Sequence, residues 1–504
     1  MLGGCGKDKP AKTKTANIEK AIAKIDTRKV DNAEAEKALS ALSLNESGSG
    51  ALSWASRDGK AGNYTYSDVT VDGDDEADIK ISQVKLFGAH MDGEQASFDK
   101  IELNGFTVAT EKDDGDVSFG NISLVKPSPA LSAGIAKMLS GDEDAFDDME
   151  GDISFQAASF SDMKIKSEDG NFSIKNMALG TAKDKTGMFT LSDLKMDIKD
   201  DKDDIKMSLG SIEVTGANME KYKGFFTEAM NGGGDEEAIA KIMQSMNPYD
   251  PDFSTISLKD FDMNIEGLAA TLKSYSAQAS KKNGVVTISQ KMSPLSIIPP
   301  KDSKDKDMKE FAEVLSTMGY DRLEFTMGGK SVLDEKADNM KTHDTYIELR
   351  DGFRFSYDFD IDGYKDFSEK AAAMQANGNG SNPMAAIGMA SALKFNHLRL
   401  AFRDDSFIDR AFKLAAEKED TTADALKQKF KDSLGQAGMM AQDEGQQKLA
   451  DDLNTALTSL IDNGGTFVIE LNPTTPVNFG SVAMGAMMGG NVDIAALGLS
   501  ISTQ

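Results

Sequence analysis

FTLSDLKM, residues Phe189–Met196, reads apolar-x-apolar-polar-polar-apolar-x-apolar, and the same eight-residue pattern recurs along the chain. It appears as YTYSDVTV (Tyr64–Val71), IKISQVKL (Ile79–Leu86), VSFGNISL (Val117–Leu124), ASFSDMKI (Ala158–Ile165) and FSIKNMAL (Phe172–Leu179). It returns as MSLGSIEV (Met207–Val214), ISLKDFDM (Ile256–Met263) and LKFNHLRL (Leu393–Leu400). Alternation places positions 1 and 3 on one face of a strand. A regular strand would send positions 6 and 8 to the other face, so the strand is either buried on both sides or reset at its centre. A β-bulge performs that reset and bends the strand. The central pairs Ser67-Asp68, Gly120-Asn121, Lys175-Asn176, Ser192-Asp193 and Gly210-Ser211 supply residues that tolerate unusual backbone angles. Two-residue hairpins with very short arms are the competing reading, but only Gly120-Asn121 comes near a primed-turn pair. The expected fold is α+β: an elongated, coiled antiparallel β-sheet of bulged repeat strands, with intervening helical hairpins and a helical carboxy-terminal module.

Such a sheet carries one apolar face. Phe172, Ile174, Met177 and Leu179 supply it from one octad, and Phe189, Leu191, Leu194 and Met196 from the next. Burying side chains of this size is worth about 1.5–3 kcal/mol each, so helices, coiling or a ligand must cover the face. Helices rich in Ala, Met and Gly, expected at Pro383–Ala392 and Val482–Gly490, pack adaptably and suit a lid over apolar ligands.

The chain has 504 residues, more than one core usually supports, and a net charge of −27. That charge excludes nucleic acid as a partner and electrostatic docking on anionic lipid, both of which need Lys and Arg. The expected organisation is a tether over 1–16, a helical stretch over 17–50, a repeat β region with inserted helices over 51–330, a further strand–helix module over 331–404, and a helical module with terminal strands over 405–504. Within it, Asn17–Leu44 reads as one helix, and Ser406 as the N-cap of a helix that begins at Phe407.

Catalysis is poorly supplied. The three histidines, His90, His343 and His397, lie far apart, and no phosphate loop, nucleophile elbow or dinucleotide fingerprint appears. No cofactor is required by any motif, and calcium is the one metal the sequence suggests. Asp358, Asp360, Asp362, Gly363 and Glu369 fit D-x-D-x-D-G-x5-E, the spacing of a calcium loop whose carboxylates supply hard oxygens. Against it, the residues before Gly363 alternate as a strand, where such loops follow a helix.

Leu2-Gly3-Gly4-Cys5 holds the only cysteine and resembles the bacterial lipobox, whose cysteine receives a diacylglycerol. The resemblance implies membrane attachment through Cys5, and Gly6 after it leans towards the outer membrane. The octads over about 52–325 resemble the AsmA-type envelope proteins, and the carboxy-terminal third resembles uncharacterised alphaproteobacterial envelope proteins. The AsmA-type resemblance implies a long coiled sheet with an apolar groove, tied to lipid transport or outer-membrane homeostasis. Those proteins usually carry an amino-terminal transmembrane helix, which is not seen in this sequence. Together these readings lead to an expectation of a non-enzymatic envelope lipoprotein on the periplasmic side of the outer membrane, with a lipid ligand. The alternative expectation is a structural or adhesive surface protein stabilised by calcium.

Overall fold

The computed structural model describes residues 27–48, 52–72, 77–110, 115–139, 154–168, 170–181, 186–199, 204–218, 249–300, 303, 305–376, 388, 391–438, 444–478, 480–482 and 496–504. The chain forms two compact units: 1–202 with 209–234, and 203–208 with 235–504. Both are built on antiparallel sheet, as the octads require.

In the first unit, helix α1 (Asn32–Ala41) is followed by β1 (Leu52–Ser53), β2 (Ser56–Lys60), β3 (Asn63–Val71) and β4 (Ala77–Phe87). A small hairpin of β5 (His90–Asp92) and β6 (Gln95–Ser97) leads to β7 (Lys100–Thr110), β8 (Asp116–Val125) and helix α2 (Pro129–Leu139). Then come β9 (Ala157–Ser167), β10 (Gly170–Thr181) and β11 (Thr186–Lys199), while β12 (Asp204–Asn218) belongs partly to each unit. β3, β4, β7, β8, β9, β10 and β11 pair in that order, each antiparallel to the next.

Each octad within these seven strands lies inside one strand, so the hairpin reading fails. The register shows how the apolar positions share a face. Tyr66, Val84, Leu103, Ile122, Phe160, Met177 and Leu191 form one row across the strands, each paired with the next. In β3 the buried residues are Tyr64, Tyr66, Val69 and Val71, which are octad positions 1, 3, 6 and 8. The reset sits at position 5, where Asp68, Asp162 and Asp193 take φ of 50°. Gly105 at φ 62° does the same in β7. Pairing is interrupted at this row, yet the register before and after it is unchanged. The irregularity is therefore matched strand by strand, and differs from a bulge with one extra residue on one side. A further octad, IELNGFTV (Ile101–Val108), with glycine at position 5, occupies β7.

The expected helix over Asn17–Leu44 is not continuous: residues 27–31 are not helical, and helix α1 ends at Ala41. It starts at Asn32 because Asp31 turns extended at φ −71°, ψ 159° and its carboxylate accepts the Glu34 N–H at 2.9 Å. Residues 1–26, with Cys5 and the whole lipobox, lie outside the described residues, as do most residues of the helices expected at Pro383–Ala392 and Val482–Gly490. Ala35, Ala38, Leu39, Leu42 and Leu44 are fully buried against the apolar ends of β3, β4 and β7.

In the second unit, β13 (Thr255–Ile265), β14 (Leu268–Lys282) and β15 (Val285–Ile298) precede helix α3 (Lys306–Thr317). β16 (Leu323–Asp334), β17 (Asn339–Leu349) and β18 (Phe353–Asp362) lead into helix α4 (Tyr364–Ala376). β19 (Lys394–Asp404) is followed by helices α5 (Phe407–Lys418), α6 (Ala423–Gly438) and α7 (Glu444–Asn463), then β20 (Gly465–Leu471), β21 (Val477–Asn478) and β22 (Leu499–Thr503). β13 to β20 pair in chain order, with β22 beyond β20. Strand pairing thus runs across 330 and across 405 without a break. Ser406 stands at the N-cap position of α5, as expected, but its side chain makes no capping bond. Its hydroxyl donates to Asp351 O at 2.6 Å, and Asp404 Oδ1 accepts the Ile408 N–H at 2.9 Å instead.

Candidate functional site

The octad faces of the first unit are covered unevenly. At β3, β4 and β7, helices α1 and α2 seal them: Tyr66 is 1% exposed and Leu86 0%. Four strands further on, Phe172 pairs with Met196, Ile174 with Leu194, Met177 with Leu191, and Leu179 with Phe189. Ile174, Leu179 and Leu191 are buried there, whereas Phe172, Met177, Phe189, Leu194 and Met196 stay half-buried. The expected apolar residues do come together as one surface.

The second unit holds the octads of β13 and β19 and continues the theme in strands that lack the pattern. Tyr275, Met292, Met327, Ile347, Phe355, Phe402 and Phe467 form a row across seven strands, each paired with the next. Directly opposed residues share a face. One end of that face is closed by Leu315 of α3, Tyr320 and Phe407 of α5, packed on Leu349 and Phe353. At the other end Tyr249 and Tyr364 pack on Val286 and Leu333. None of the seven in the row between is buried, and Ile347 is 44% exposed. Along β18, Phe355, Tyr357 and Phe359 line up with ring centroids 6.2 Å and 6.1 Å apart.

The opposite face of β18 carries the calcium-loop aspartates, on a strand and not a loop. Asp360 Oδ1 accepts from Asn339 Nδ2 at 2.6 Å and Asn396 Nδ2 at 3.2 Å, and Lys341 Nζ lies 2.7 Å from Oδ2. Burial pushes the Asp360 carboxyl up, but its hydrogen bonds with Lys341, Asn339 and Asn396 outweigh that and hold it below the usual carboxylate range. Asp362 accepts from Asn339 at 2.8 Å, and Asp358 Oδ1 is buried without a hydrogen-bond partner among the described residues. Glu369 is exposed on α4. Among the described residues no three acidic, histidine or cysteine side chains converge as metal ligands. Calcium binding would require Asp360 to exchange the Lys341 ammonium. Two further polar pairs lie on this face: His397 Nε2 with Glu470 Oε1 at 3.0 Å, and Arg354, stacked on the Tyr346 ring at 3.8 Å, with Glu348.

Sequence reasoning missed the row in the second unit because β14 (LAATLKSYSAQASKK) alternates with Ser and Ala and lacks the double polar centre. The strict alternation of aromatics in FRFSYDFDID was the available signal. Among the described residues no helix is long and apolar enough to cross a membrane. A protein-family model described only as "Uncharacterized protein" matches residues 346–504, from the second half of β17 onward. None of the curated proteins matches the chain.

Proposed function

We propose that this protein is a non-enzymatic component of the bacterial cell envelope, anchored through a lipid on Cys5, that holds lipid acyl chains on its apolar sheet face. The observation that carries the reading is the half-exposed row Tyr275–Met292–Met327–Ile347–Phe355–Phe402–Phe467 between two closed ends. Six inter-strand steps of about 4.8 Å make it about 29 Å long. Two residue rows give it a width of about 13 Å, hence about 400 Å², half of the roughly 800 Å² a partner buries in a standard protein interface. A strip of that shape suits a chain-like apolar molecule better than a globular surface. The elongated coil and the part in outer-membrane homeostasis implied by the AsmA-type resemblance belong to the same proposal.

The full burial of the octads beneath α1 supports a second reading, in which the sheet is an ordinary core of a structural or adhesive surface protein. Native mass spectrometry separates the two. Protein purified from envelope membranes should carry phospholipid, and Ile347→Asp, at the most exposed point of the row, should lower the bound fraction severalfold without changing the melting temperature. Expressed from its full native start, the Cys5→Ser variant should leave the detergent phase that retains the wild type. A clean apo mass with no uptake from phospholipid vesicles overturns lipid binding.

A further inference from the structure

Resting on the lipid reading of the sheet face, we propose that the second unit takes one ester-linked acyl chain in a fixed orientation. The uncharged ester lies over Gln290, Ser331 and Thr345, and the chain runs across β18, β19 and β20. The face is not uniform along its length. Beside the row that starts at Tyr275 runs a second, made of Ala277, Gln290, Gly329 and Thr345. It continues through Tyr357, Leu400 and Ile469. A third row holds Ile288, Ser331 and Thr342, then Phe359, Leu398 and Leu471. Over β18, β19 and β20 both rows are aliphatic or aromatic. Over β15, β16 and β17 they bring Gln290, Ser331, Thr342 and Thr345, and no charged side chain.

Thr342 is engaged, its hydroxyl accepting the Phe359 N–H at 3.0 Å. The other three have capacity left. Among the described residues neither the Gln290 carboxamide nor the Ser331 hydroxyl has a hydrogen-bond partner, and both residues are half-buried. Thr345 is 6% exposed, and its hydroxyl donates to His343 O at 3.5 Å, a long and weak bond. Gly329 sets no side chain between them, and a Cβ there would lie 2.7 Å from Thr345 Oγ1. Pairing shifts register at this point both between β16 and β17 and between β17 and β18, an irregularity of the kind that re-aims side chains. Polar groups set into an apolar face cost free energy until they find a partner. An ester carbonyl supplies one by accepting from the amide and the hydroxyls. A carboxylate or phosphate would be stripped of water with no cation facing it. The distance fits as well. From Thr345 to Ile469 are three inter-strand steps, about 14 Å. One leaflet of bilayer hydrocarbon is about 15 Å thick, half of the core, so the apolar part matches one acyl chain of a membrane lipid.

The full chain with Cys5→Ser, which keeps an anchor of its own off the face, tests both the linkage and the direction. The probes are a monoacylglycerol and the alkylglycerol ether of equal chain length, which lacks the carbonyl. The ester should bind about threefold to tenfold more tightly than the ether, the worth of a hydrogen bond to the carbonyl. Gln290→Leu with Ser331→Ala should make the two affinities equal while the ether binds as before. The melting temperature should hold, since neither side chain gives up a hydrogen bond. Photolabelling of the chain without those two substitutions reads the direction. A diazirine at the end of the acyl chain should mark β19 and β20, and one beside the ester should mark β15 and β16. Equal affinity for ester and ether before the substitutions overturns the linkage, and the same labelled strands from both diazirines overturn the direction. If neither probe binds, the lipid reading itself falls, a result distinct from binding without preference.

Discussion

Asp360 shows what a single side chain contributes when it is half-buried and fully satisfied. Its carboxylate is held by Lys341, Asn339 and Asn396, and its pKa lies below the ordinary value. The sign of the pH dependence follows. The ionised form adds stability above about pH 3.9, the value of an unfolded aspartate, and loses it as pH falls through the lower folded value. Asp360→Asn keeps the shape and removes the charge. The melting-temperature gap between wild type and variant should therefore be widest near neutral pH and close on acidification below about pH 4. A gap that does not change with pH would show that the Lys341 contact does no net work. The same residue explains why a calcium spacing can mislead: D-x-D-x-D is also what the polar face of a strand looks like when acids alternate with Phe355, Tyr357, Phe359 and Ile361.

At the scale of the element, the octad works because one residue in every second strand (Asp68 in β3, Gly105 in β7, Asp162 in β9, Asp193 in β11) takes the left-handed conformation at a fixed row. Aspartate at φ near 50° is tolerated, glycine is free there, and β-branched residues are strained. Asp193→Gly should therefore leave stability nearly unchanged, whereas Asp193→Val should cost about 1–3 kcal/mol in urea unfolding. Equal costs would mean that the row is not conformationally demanding. This device was legible in the sequence, since double polar centres ending in Asp mark it at Ser67-Asp68 and Ser192-Asp193. Its exact geometry was not. A matched irregularity in every strand and a one-sided bulge leave the same trace in a single strand, and only pairing distinguishes them. The helix ends were less legible still. Asp31 caps its helix from a position where the apolar period alone gives no stop signal, and at α5 Ser406 holds the N-cap position while the Asp404 carboxylate, two residues earlier, accepts the first-turn N–H.

At the scale of the molecule, the two units hold separate cores, and the chain carries a built-in reporter for one of them. Trp54 is the only tryptophan, packs edge-on to Tyr66 at 5.0 Å, and belongs to the core under α1. Leu39 lies in that core at 0% exposure, and Leu333 is at 2% in the cluster with Tyr249 and Val286 in the second unit. Either leucine replaced by alanine should cost about 2–5 kcal/mol of the unit that holds it. If each unit unfolds as its own cooperative body, Leu39→Ala shifts the Trp54 fluorescence transition to lower urea, and Leu333→Ala leaves that transition in place while lowering a calorimetric peak. If both variants move Trp54 equally, the units share one transition, and the cores do not act separately. The division was expected from length alone, but its position was not, because the octad Met207–Val214 straddles it with no change of rhythm. Composition marks loops and helices there, whereas the grouping of strands into bodies depends on which residues meet across many tens of positions, as Tyr249 meets Leu333.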